Sequence, residues 1–429
     1  MFVDREGELA FLEALWREDK PHLVVIYGRR RIGKTWLVKK FMKDKRGVYI
    51  YAVRQPIRIE LERFAEAVGR AVGRYVRPTW DSIYEALAEA GRIVVAIDEF
   101  TYWVEEDESV LSELQRAWDE RLSRSGVFLI LLSSTVSLVE ESISYGGGLY
   151  GRRTAQIKLG PLGPHHAKFF LPYKAEDLAA AYAITNGVPY YLSLFDREKP
   201  LEENIKRLFS RWGPLYEEAE NLLRYEVREP HVYLNIVRAI EEGATTYSEI
   251  ADRAKIPTST LGKYLHVLEK LDIVRREVPV MGKARPIYVV ADLYIKFWIR
   301  YIYNRREAFE LGETPSPDLD KYMASAYEEV VRRSLPRLFE RGVVPHLGRC
   351  GRYWEKDVEV DIVCVGDGKL LAIEVKWADL DEREVEEELR ELKRKLGNRE
   401  GTYLIAARRA EGNNAIQAGD IFEVDDNNL

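Results

Sequence analysis

Through the first 165 residues, uninterrupted apolar runs alternate with amphipathic stretches. HLVVIY (22–27), RIVVAIDEF (92–100) and VFLILLSST (127–135) lack a polar face, as strands covered on both sides do, while TWLVKKFM (35–42) reads as a helix. The alternation predicts a parallel sheet flanked by helices. From 166 to 228 the pattern turns helical and rich in Tyr, Leu and Glu, and from 229 to about 300 it describes a small helical module ending in a hairpin. LGETPSPD (311–318), with two prolines and little apolar content, reads as a linker. Beyond it KYMASAYEEVVRRSLPRLF (321–339) predicts a helix, VEVDIVCVG (358–366) and KLLAIEVKW (369–377) two strands, and TYLIAA (402–407) a later strand. Between them DEREVEEELRELKRKL (381–396) places Val385, Leu389, Leu392 and Leu396 on one apolar stripe, so this helix should lie on a sheet with its charges in water.

A chain of 429 residues is too long for one core and fits two to four domains. Its 46% hydrophobic and 32% charged residues are those of a globular protein. The net charge of -6 gives no overall attraction for nucleic acid, so any such contact needs a local basic patch. No apolar run is long enough to span a bilayer, and MFVDREGELAFLEALW is acidic and amphipathic rather than signal-like; no membrane association and a cytoplasmic location are expected. Cys350 and Cys364 have no metal-ligand spacing, and in a reducing compartment they are expected to be ordinary buried thiols.

GRRRIGKT (28–35) matches G-x-x-x-x-G-K-[ST], with a strand before it and a helix after it. Gly28 and Gly33 would let the backbone wrap a phosphate, with amides of Arg29, Arg30, Arg31, Ile32 and Trp36 around it and the helix N-terminus facing the anion. Lys34 would contact the β- and γ-phosphates of ATP, and Thr35 would ligate Mg2+. In IVVAIDEF, Asp98 would hold Mg2+ through water and Glu99 would polarise the attacking water.

GRRRIGKT, the IDEF acidic pair, YGRR (150–153) and NGVPYYL (186–192) together resemble the archaeal ATPases of the STAND branch of AAA+-related P-loop NTPases. The resemblance implies binding of ATP and ADP, a sensor role for Ser134 in LLSST, and an arginine, Arg152, bridging to the phosphates. It also implies a helical lid whose turn holds Gly187 and Pro189. FVDREGE resembles the element that lies near adenine in that group, with Asp4 where the pattern has Gly; this implies Val3 and Arg5 near the base or ribose. Self-association is expected by the same analogy.

Residues 245–290 supply two short helices around Ile250, Ala254, Ile256, Leu261, Leu265 and Leu268, with Thr258 or Ser259 as the expected cap of the second, and then a hairpin. This resembles a winged helix-turn-helix. About twelve basic residues against four acidic ones between Arg253 and Arg306 provide a local patch, and Ser259, Lys263, His266, Lys283 and Arg285 are the candidates for DNA contact. The alternative is a packing role for the module as a relay.

AIEVKW (372–377) puts Glu374 and Lys376 on one face of a strand. Asp361 closes the apolar run of the preceding strand, and GDGK between them is a tight turn, so the hairpin should bring the three groups together. Two carboxylates and a lysine suit Mg2+-assisted phosphodiester hydrolysis; an ion-pair network on a degenerate scaffold is the alternative. The element order resembles the PD-(D/E)xK nuclease core, with Glu328 matching its extra helical acid, and the segment also resembles the DUF234 domain fused to such ATPases. The expected architecture is therefore α/β: a P-loop NTPase parallel sheet (1–165) with a helical lid (166–228), then a winged helix-turn-helix (229–310), then a small α/β nuclease-like domain (321–429).

Overall fold

Six consecutive buried residues make β1 (His22–Tyr27), six more make β3 (Ile93–Asp98) and seven make β4 (Val127–Ser133). With β2 (Gly47–Tyr51) and β5 (Ala155–Lys158) they form an all-parallel sheet in the order β2-β3-β4-β1-β5. After an N-terminal α1 (Glu6–Arg17), the crossovers that parallel strands need are helical: α2 (Lys34–Met42), α3 (Ile57–Val72), α4 (Trp80–Glu89), α5 (Thr101–Glu106), α6 (Ser109–Glu120) and α7 (Val136–Ile143). The computed structural model describes residues 5–143 and 147–423. It forms two units, residues 1–160, which hold this sheet, and residues 161–429.

The second unit opens with α8 (Ala167–Phe170), α9 (Ala175–Thr185), α10 (Pro189–Ser193), α11 (Leu201–Phe209) and α12 (Glu218–Glu226). Then come α13 (Pro230–Glu241), α14 (Tyr247–Ala254), α15 (Thr258–Lys270) and the antiparallel pair β6 (Val274–Glu277) and β7 (Ile287–Val290). Thr246 caps α14 in a reciprocal box with Glu249. The cap expected for α15 is not made: Pro257 takes the N-cap position, with no side-chain bond, and Thr258 is already helical. A proline pre-set at the boundary replaces the hydroxyl.

After α16 (Leu293–Tyr301) and α17 (Arg306–Glu310), the long α18 (Leu319–Glu340) leads into a five-stranded sheet ordered β12-β11-β10-β9-β8. These are β8 (Arg349–Glu355), β9 (Val358–Gly366), β10 (Lys369–Leu380), β11 (Thr402–Ala410) and β12 (Ala415–Gln417), with α19 (Glu382–Lys395) and α20 (Ala418–Phe422). Asp367 and Gly368 both have positive φ, 50° and 73°, which the two-residue β9–β10 turn requires. The stripe Val385, Leu389, Leu392 and Leu396 packs with Val360, Ala372 and Ile405. The cysteines differ from expectation. Cys350 and Cys364 are directly opposed in the β8–β9 register, 3.9 Å apart at Cα, and form a disulfide. The pairing register decides this, and their separation along the chain does not reveal it.

Candidate functional site

The register of the first sheet brings the phosphate-loop residues level with their partners. Tyr27 pairs with Ser133, so Gly28 and Ser134 emerge side by side. Gly28 has φ 149°, and a Cβ there would sit 2.3 Å from the Leu159 carbonyl oxygen, so only glycine fits. Gly33, at φ 101°, precedes α2, whose N-terminus carries Lys34 and Thr35. Lys34 is buried and its Nζ donates to the carbonyls of Gly28 (2.7 Å) and Arg29 (3.1 Å) and to Ser134 Oγ (3.1 Å). Thr35 Oγ1 donates to Asp98 Oδ2 at 2.6 Å. Glu99, at φ 55° in a conformation costly for a residue with a Cβ, accepts from the Ser134 amide at 3.0 Å and from its hydroxyl. Arg30 reaches the Tyr102 hydroxyl, Ile32 is buried, and Arg31 and Trp36 are exposed.

Two further candidates, Arg5 and Arg152, are held by groups of this chain. Val3 lies outside the described residues. Arg5 is buried and donates to the carbonyls of Ile32 (3.3 Å) and Gly160 (2.6 Å), bracing the loop. Arg152 forms a two-point ion pair with Asp119, at 2.7 and 3.0 Å.

In the second unit the hairpin does set Asp361 beside the Glu374 strand: Asp361 Oδ2 accepts from the Val375 amide at 2.8 Å. Burial, then the charges of Glu328 and Glu374, push the Asp361 carboxyl up to about 7. Glu374 is buried, with Oε1 bonded to Lys395 Nζ at 2.8 Å and 3.7 Å from Lys376 Nζ, while Oε2 has no hydrogen-bond partner among the described residues. Glu328 is already taken by Arg332 and Arg352. Among the described residues no group of three His, Cys, Asp or Glu side chains is arranged to hold a metal ion.

A family described as an ATPase domain predominantly from Archaea matches residues 2–195, and DUF234, described as archaeal and bacterial proteins of unknown function, matches residues 298–387. The chain is 32% identical over 447 residues to the uncharacterized protein MJECL04 of Methanocaldococcus jannaschii, with 99% of this chain and 100% of that protein covered. The chain belongs to this archaeal ATPase family, with a DUF234 region at its C-terminal end. The uncharacterized ATP-binding protein MJ0423 of the same organism is 56% identical over 46 residues, 11% of this chain and 78% of that protein. Among solved structures, the Walker-type ATPase paby2304 of Pyrococcus abyssi aligns with a TM-score of 0.54 and 22% identity, covering 70% of this chain and 96% of that one, a likeness of fold.

The candidates for DNA contact in this archaeal ATPase are all exposed: Ser259, Lys263 and His266 along α15, and Lys283 and Arg285 between β6 and β7. The loop between β6 and β7 is docked. The Val280 amide donates to the Arg352 carbonyl at 3.0 Å, Trp354 donates to the Arg285 carbonyl at 3.2 Å, and the Val280 side chain joins the core under β9 and β10.

Sequence reasoning missed Tyr49, Lys395 and Arg352. Tyr49 on β2 donates its hydroxyl to Asp98 Oδ2 at 2.6 Å, and burial together with that carboxylate raises it. Lys395 carried a signal: it lies one heptad after Glu388, at the margin of the α19 apolar stripe, and both reach β10, Glu388 to Lys376 (3.5 Å) and Lys395 to Glu374.

Proposed function

We propose that this archaeal ATPase binds ATP with Mg2+ at residues 28–36, hydrolyses it to ADP, and uses nucleotide state as a switch governing the winged helix and the C-terminal domain. One observation carries the reading: at the C-terminal ends of β1, β3 and β4 two adjoining hydrogen-bonded groups meet, Lys34–Ser134–Glu99 and Thr35–Asp98. A hydroxyl and a carboxylate oxygen 2.6 Å apart suit a hard, oxygen-liganded cation, so Thr35 and Asp98 would hold Mg2+. When bound, the ion neutralises charge on the β- and γ-phosphates. Lys34 would exchange its backbone acceptors for phosphate oxygens, and Glu99, oriented by Ser134, would hold the attacking water. Lys34→Ala should weaken ATP binding by about two orders of magnitude, the value of its lost charge-assisted bonds. Glu99→Gln should keep binding and slow turnover on the order of 100-fold. Equilibrium binding and phosphate release measure the two, and full turnover in Glu99→Gln would remove Glu99 from the mechanism.

A second reading concerns the acidic hairpin as a Mg2+-dependent phosphodiester site acting on DNA. It is favoured by the buried Glu374 Oε2, without a hydrogen-bond partner among the described residues, beside Asp361, with Lys376 and Lys395 alongside. The exposed Ser259, Lys263, His266, Lys283 and Arg285 would supply DNA contact. Supercoiled DNA incubated with Mg2+ or Mn2+ and ATP should be nicked by the wild type and not by Glu374→Ala. Equal behaviour of the two proteins would leave a non-catalytic regulator whose C-terminal domain is an interaction surface.

A further inference from the structure

We infer that Tyr49 is a positioning residue for the divalent cation: its hydroxyl fixes the Asp98 carboxylate in the orientation the ion requires. The inference rests on the phosphate-loop reading above and adds a residue to it from the edge strand β2.

Asp98 Oδ2 accepts two hydroxyl donors, Thr35 Oγ1 and Tyr49, each at 2.6 Å. That length belongs to charge-assisted O–H···O⁻ bonds. The two donors are not equivalent. Thr35 opens α2 and belongs to the loop that closes around the nucleotide, whereas Tyr49 is built into the sheet. Thr35 would turn an oxygen lone pair toward the ion, leaving Tyr49 as the donor that holds Asp98 throughout.

The sheet explains how Tyr49 reaches that far. Tyr49 pairs with Ala96 and Tyr51 with Asp98, so the phenol must span two residues of strand, roughly 7 Å, about the reach of a tyrosine side chain. Ala96 is small and fully buried, which leaves the lane open, and Lys39 of α2 lies 4.9 Å above the ring. A phenylalanine keeps the ring, its strand position and the lysine contact, and deletes only the hydroxyl.

The test is equilibrium binding of a fluorescent ATP analogue to the full chain, with excess EDTA and with saturating Mg2+. The wild type should bind more tightly with Mg2+, and Thr35→Ala, which removes an ion ligand, sets the floor. Tyr49→Phe should keep the wild-type affinity in EDTA while losing about 3- to 10-fold of the Mg2+-dependent tightening, the size expected for the net worth of one hydrogen bond. If Tyr49→Phe retains the full Mg2+ effect, or weakens binding equally with and without Mg2+, Tyr49 is a structural residue and the inference fails. If the wild type itself shows no Mg2+-dependent tightening, the phosphate-loop reading fails instead.

Discussion

Asp361 illustrates how much of a side chain's chemistry is fixed by its neighbours. Its carboxyl, pushed up to about 7 by burial and by Glu328 and Glu374, has an ordinary value of 3.8. Between these values the folded protein keeps a proton that the unfolded chain has released, so the group's stabilising contribution is complete below about pH 4 and gone above about pH 7. Wild-type stability should therefore fall relative to Asp361→Asn as pH rises across that window. Denaturant titrations of both proteins at several pH values check this, and parallel pH profiles would contradict it. The candidates in residues 28–35 were legible because a phosphate loop is local: its spacing alone brings Gly28, Gly33, Lys34 and Thr35 together. Arg152 could not be assigned that way, since only the folded arrangement sets it against Asp119. Tyr49 had no signal, because it meets Asp98 through strand pairing across 49 residues.

At the scale of elements, α18 is the organising piece of the second unit. Its EEVVRR stretch reads as two i,i+4 pairs, Glu328–Arg332 and Glu329–Arg333, and both are made. The sequence does not show that the pairs extend outward into a buried ladder. Glu329 accepts from Arg275 of β6 at 2.8 Å, Arg275 and Arg332 converge on Glu277 at 2.7 and 2.9 Å, and Arg333 donates to Asn186 Oδ1 at 2.9 Å and the Ala291 carbonyl at 2.8 Å. Burial pushes the Glu329 carboxyl up, but Arg333 and Arg275 outweigh it and hold it at about 2. Asn186 follows α9 in the NGVP turn, so α18 joins that turn, the β6–β7 pair and, through Glu328 and Arg352, the C-terminal sheet. Removing one member of such a ladder leaves its partner buried and under-compensated. Arg333→Ala should lower the unfolding free energy by about 3 kcal/mol, measured by chemical denaturation, and a loss below about 1 kcal/mol would mean the ladder behaves as a surface pair.

On the scale of the whole chain, the net charge of -6 sets no general affinity for nucleic acid, and the basic candidates for DNA contact are confined to residues 259–285. Local spacing determined the most strongly patterned elements: the all-buried β1, β3 and β4 and the amphipathic α19 follow from hydrophobic periodicity and the turn at Asp367-Gly368 from its residue types, since burial and backbone conformation act on neighbouring residues, whereas β2, β5, β8 and β12, with mixed burial, are not read from it. The three segments expected as separate domains beyond residue 165 lie in one unit, residues 161–429, where the loop between β6 and β7 packs along β8 and the α18 ladder crosses them. Only the tertiary structure decided that, along with the disulfide between Cys350 and Cys364, the engagement of Glu328 by Arg352, and the hydroxyl of Tyr49 on Asp98. Each depends on which strand or helix lies beside which, and a contact of that kind is set by packing between segments far apart in the chain, where residue spacing carries no record of it.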